Sequence, residues 1–107
     1  MKSTFVALIW FRDAKDKNLA KLWEERLVLI EGIDEVDAKA KAEQFGKAAE
    51  HSYVSATGKD VDWTFDEVHD VRFVEGKLED GQEVYSRFLR SSEIDSLKRP
   101  FDEIIPE

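Results

Sequence analysis

The sequence predicts an α+β domain: an antiparallel sheet of four or five strands with one helix packed on one face, in the order ββαβββ. Three observations predict it. Two strand-like runs, Phe5 to Phe11 and Leu22 to Glu31, lie on either side of a polar connection. A helical repeat is present between Asp34 and Glu50. The stretch Glu50 to Val74 then breaks that repeat, turns at Thr57-Gly58 and continues as the longest strand-like segment of the chain.

Phe5-Val6-Ala7-Leu8-Ile9-Trp10-Phe11 lacks polar alternation and is rich in aromatic and β-branched residues, the pattern of a strand covered on both faces. The run is too short to span a membrane, and no small-residue cleavage site follows it as in a secretion signal. Arg12 to Ala20 is polar and reads as a loop. Leu22 to Glu31 returns as a second strand that pairs with the first as an antiparallel hairpin. Its first half, with Glu24, Glu25 and Arg26, is expected to meet solvent, and Leu27 to Ile30 to point inward.

Gly32-Ile33-Asp34 ends this strand. Asp34 suits a helix N-cap, and Glu35 and Asp37 in the first turn complement the helix dipole. Ala38, Ala42, Phe45 and Ala49 form one stripe along the helix. On this reading Phe45 supplies most of the buried area and Gly46 weakens the interior by roughly 1 kcal/mol. Ser52 to Ala56 is a short strand that Thr57 to Asp60 turns back antiparallel. Val61, Trp63 and Phe65 share a face, as do Val71 and Phe73, yet strict alternation would bury Glu67 and His69 between them. A bulge that turns Val68 inward is preferred, because an unpaired buried carboxylate is costly. Glu75 to Gln82 is a loop around Asp80-Gly81, and Glu83 to Arg90 is read as the last strand, with Tyr85 and Arg87 on one face. The remainder, with Ile94, Leu97, Phe101, Ile104 and Ile105, reads as a tail able to lie over the sheet.

A chain of 107 residues has room for one core, and 42% apolar residues suffice to build it. The formal charge of -8 disfavours nucleic acid and anionic membranes, whose binding depends on Lys and Arg, and favours a basic or neutral protein partner. The absence of cysteine excludes disulfides, thiolate metal sites and a cysteine nucleophile, and fits a cytoplasmic protein.

Several strings carry a resemblance. Leu22-Trp23-Glu24-Glu25, Glu50-His51-Ser52-Tyr53, then Gly58, Trp63, Phe65 and Asp70-Val71, and finally Asp80-Gly81 with Glu83-Val84-Tyr85-Ser86-Arg87-Phe88-Leu89, resemble a family of small bacterial proteins known only as a domain of unknown function. The likeness spans roughly residues 3 to 90. It implies a bacterial source and a compact α+β domain, and brings no activity, cofactor or catalytic residue.

Function is therefore read from faces and side chains. One helix covers one side of a sheet whose first two strands are apolar on both, so the second side needs the tail, a second copy of the chain or another protein. Trp23, Glu25, His51, Tyr53, Trp63, Tyr85 and Arg87 are the candidate binding residues, being mostly of the types that dominate binding hot spots. The reading is a non-enzymatic protein-binding module that self-associates as a homodimer or binds a protein partner, with an immunity or antitoxin type of role as its specific form. No cofactor is expected. One alternative is a small metal-dependent or hydrolytic enzyme using His51, His69 and the carboxylates Asp66, Glu67 and Asp70. His51 has a competing role as a cap on the helix carbonyls, and the carboxylates as a solvated face. A second alternative is a small-ligand binder with an aromatic pocket between helix and sheet.

Overall fold

Four strands form one antiparallel sheet in the spatial order β2-β1-β4-β3, with β1 at Ser3–Asp13, β2 at Trp23–Gly32, β3 at His51–Val54 and β4 at Asp60–Phe73. The helix α1, Glu35–Ala48, connects β2 to β3, and a second helix, α2, spans Ser91–Lys98. The structure is a computed structural model and describes residues 1–15 and 22–99. Most of the expected polar connection after β1 and the end of the tail, with Phe101, Ile104 and Ile105, lie outside the described residues.

The first hairpin is antiparallel as expected, and its register sorts the side chains. Phe5 faces Ile30 and Ala7 faces Val28, all on the α1 side; Val6 faces Leu29 and Leu8 faces Leu27, on the other. β1 is buried on both sides because it lies in the middle of the sheet and has neighbours above and below. β2 is an edge strand, and it alternates. Ile30 is buried, whereas Leu27 and Leu29 remain 55% and 54% exposed. The expectation that Leu27 to Ile30 all point inward is therefore corrected: period-two geometry sends the odd-numbered leucines to the side away from α1.

Asp34 caps α1 as the sequence predicts, its Oδ1 accepting the amide of Asp37 at 2.8 Å. Lys41 joins the helix back to β2 by donating to the carbonyl of Glu31 at 2.9 Å. The buried stripe of α1 differs from the predicted one. It consists of Ala38, Ala42 and Gly46, while Phe45 stays 45% exposed on the flank. Small residues let the helix axis approach the sheet, and Gly46 is where the approach is closest: an added Cβ there would lie 2.4 Å from Cδ1 of Phe65. Gly46→Ala gains helix propensity but overpacks this contact. We expect a net loss of about 1–3 kcal/mol in urea denaturation; a gain in stability would show that the Phe65 ring yields freely.

In β4 the bulge is present. Register shifts occur at Leu8/Ile9 and at Trp10/Phe11, so that Val68 turns inward against Ile9 while Glu67 and His69 are exposed. Val61, Trp63, Val68 and Val71 thus all join the core under α1. The β3–β4 turn forms at the predicted residues, with Gly58 at φ 82° and its amide donating to the carbonyl of Ser55. Buried Asp13 ties the end of β1 to β4, its Oδ1 accepting the amides of Lys15 and Asp62.

After β4 the chain departs from prediction. Residues 83–90 run without pairing into the sheet, so the expected last strand is absent and the sheet has four strands. The alternation that suggested a strand comes instead from a segment crossing the sheet face, where Tyr85 packs on Val6, Leu8 and Val74. Among the described residues of the tail, α2 buries none of its side chains and so does not roof the sheet.

Candidate functional site

Among the described residues, the side of the sheet away from α1 is only partly covered. Val74 follows β4 directly, its amide donating to the carbonyl of Thr4 at 2.9 Å, and with Tyr85 it closes over Val6 and Leu8. Gln82 holds the returning loop through bonds from Nε2 to the carbonyls of Glu75 and Glu83. This cover stops short of β2. Across the ladder from buried Leu8 and Val6 stand half-exposed Leu27 and Leu29, followed along β2 by Glu25 and Trp23.

Trp10 organises this open face. It is opposite Glu25 in the β1–β2 ladder, and its indole Nε1 donates to Glu25 Oε2 at 2.8 Å. The register shift leaves His69 without a partner on β1, and its imidazole stacks on the Trp10 indole at 3.9 Å with planes 12° apart. Trp23 meets Trp10 edge to face at 6.5 Å, a favoured geometry for ring quadrupoles. Trp10, Trp23, Glu24 and Glu25 together line a cleft of about 350 Å³.

A second cleft, of about 490 Å³, lies where the C-terminal segment crosses β4. His69, Asp70, Arg72, Tyr85, Arg87 and Phe88 contribute to it. Arg72 is held by Asp70 at 2.7 Å and places its guanidinium 5.4 Å from the Tyr85 ring centre. Phe88 is fully solvent-exposed.

The seven residues singled out in the sequence thus divide between the two sides. Trp23 and Glu25 line the first cleft, and Tyr85 and Arg87 the second. His51, Tyr53 and Trp63 belong to the α1 side. Trp63 is buried in the main core and donates from Nε1 to the Tyr53 hydroxyl at 3.3 Å. His51 stacks against Tyr53, and its Nδ1 lies 3.3 Å from the carbonyl of Ala49, the C-cap residue of α1. That is the capping role the sequence offered for it. His51 and His69 are consequently on opposite sides of the sheet, and among the described residues no three histidines or carboxylates gather as a metal site. This separation removes the shared centre that the enzyme alternative required.

Trp10 is the residue that sequence reasoning missed. Within a run read as buried on both faces it carried no distinguishing mark, and its partners come from two other strands. The available signal was parity: Trp10 alternates with Ile9 and Phe11 and shares its side with Arg12, a residue that reaches solvent.

No described helix is long and apolar enough to cross a membrane. Neither the curated proteins nor the solved structures contain a significant match to the chain. The model of the family described as Domain of unknown function (DUF4288) matches residues 4–86, and the chain belongs to that family.

Proposed function

We propose that this DUF4288 chain is a non-enzymatic protein-binding module, that its working surface is the open side of the sheet along β2, and that its partner is a basic protein. The observation that carries this reading is the contrast within one ladder: Val6 and Leu8 are sealed, whereas their neighbours Leu29 and Leu27 are left half-open beside Trp23 and Glu25. A strip of large apolar side chains flanked by aromatic and charged ones has the make-up of an interface core and rim. The net charge of -8 steers a positively charged partner toward the protein and repels a negative one.

Self-association is a second reading, favoured by one observation. β2 is an edge strand of ten residues, and its outer backbone groups are available to pair with a strand from another copy. Like charge opposes such a dimer at low salt, which is why the basic partner is preferred.

The test is a photocrosslinking residue placed at Leu29 in cells, with the same residue at Val36 as a control, since Val36 is exposed on α1. The expected result is a discrete adduct from position 29 to a protein with a basic surface, and none from position 36. Equal labelling from both positions would overturn the assignment of the face. An adduct to the chain itself would replace the basic partner with the second copy.

A further inference from the structure

We infer that the cleft between Trp10 and Trp23 is a recognition site for a guanidinium group, an arginine side chain supplied by the basic partner; this deepens the function proposed above and rests on it.

Three features of the cleft converge. First, it is walled by two indoles. Trp10 is held by its stack on His69 and its edge-to-face contact with Trp23, and Trp23 itself is left 47% exposed. Indole faces attract cations, and the planar guanidinium stacks on them more readily than a hydrated ammonium does.

Second, the cleft contains a carboxylate that is oriented and, among the described residues, has no cationic partner. Glu25 Oε2 accepts the Trp10 indole N–H at 2.8 Å, which fixes the group against the ring. Among the described residues no lysine, arginine or histidine forms an ion pair with Glu25. The adjacent Glu24 is different: its Oε1 is taken by Arg26 at 2.7 Å. Glu25 thus offers the cleft a negative charge that no described cation engages, and a charge-assisted hydrogen bond to a guanidinium is among the stronger polar contacts a protein surface makes.

Third, on the same side of β2 the cleft is followed along the strand by the half-exposed Leu27 and Leu29. An arginine entering it would bring the methylene stem and the neighbouring backbone of its own chain over those leucines. The cleft, at about 350 Å³, is a side-chain-sized recess within the larger face. An anionic ligand is disfavoured there by the Glu25 carboxylate.

The experiment follows the three indole N–H signals by NMR while the intact protein is titrated with a blocked tripeptide containing arginine, and separately with the same peptide containing citrulline. Citrulline keeps the shape and most donors of arginine but not its charge. The indole N–H groups of Trp10 and Trp23 are expected to shift with the arginine peptide, saturating in the millimolar range. That of Trp63, bonded to Tyr53 on the opposite side, stays in place as an internal control. Glu25→Gln keeps an oxygen acceptor for the Trp10 N–H while removing the charge, so the protein stays folded and the arginine peptide binds about tenfold more weakly.

Equal shifts with citrulline, unchanged affinity in Glu25→Gln, or no response of Trp10 and Trp23 would each overturn the guanidinium site. The two proposals fail separately. A silent titration alongside specific crosslinks from Leu29 would refute the cation and retain the face, whereas loss of both would remove the binding function itself.

Discussion

Phe11→Ala is expected to remove about 3–5 kcal/mol of folding stability, the usual range for deleting a fully buried phenylalanine. Phe11 has no exposed surface and lies on β1, the strand through which both β2 and β4 are attached. Its ring is met edge-on by Phe65 at 6.2 Å and covered by the Arg26 guanidinium at 4.2 Å. Truncation empties the space between these groups and deprives Arg26 of its aromatic support. Close packing around Ala38 and Ala42 leaves little room for α1 to settle inward and fill it. Against a total of about 5–15 kcal/mol for an ordinary domain, this is roughly a fifth of the stability or more. Urea denaturation gives the value directly, and a loss below about 1 kcal/mol would mean that the core under α1 is not the main source of stability.

The second large effect separates binding from folding. The double variant Leu27→Lys and Leu29→Lys puts two cations on the open strip. Both positions are more than half exposed, so the long lysine stems can lie along the sheet with their ammonium groups in water. Folding stability should change by no more than about 1 kcal/mol. The same substitutions at their ladder partners Leu8 and Val6, 1% and 2% exposed, would bury unpaired charge and prevent folding. Binding of a basic partner should fall by about a hundredfold or more, because the variant replaces apolar contact with like-charge repulsion at the centre of the face.

How much of this was legible in the sequence follows from how local each determinant is. The hairpin, the Asp34 cap, the Gly58 turn and the bulge that turns Val68 inward depend on neighbouring residues and on the cost of burying Glu67, and all are present. The stripe on α1 was displaced by one position, from Phe45 to Gly46. Which flank of a helix meets the sheet is decided by the space left beside Phe65, a residue from another element. Residues 83–90 alternate like a strand, but the segment pairs with neither edge of the sheet; Tyr85 instead packs on the cluster of Val6, Leu8 and Val74. The helix at Ser91–Lys98 was not foreseen; its short polar sequence has few apolar residues at helical spacing and it buries none of them.

The candidate site was half legible. Hot-spot residue types picked out Trp23, Glu25, Tyr85 and Arg87, which the structure places on the open side, together with His51, Tyr53 and Trp63, which it places on the other. Residue type carries no information about side. The bulge was legible, but the ladder register that sets His69 of β4 against Trp10 of β1 is not encoded in any sequence spacing.

The measurement that bears most directly on the open face as the working surface is the affinity of the crosslinked partner, once purified, for the wild-type chain and for the Leu27→Lys, Leu29→Lys variant, taken with the urea midpoint of each. The account predicts matched midpoints and a collapse of binding in the variant. Undiminished binding by a variant that folds normally would contradict it and move the functional surface elsewhere on the molecule.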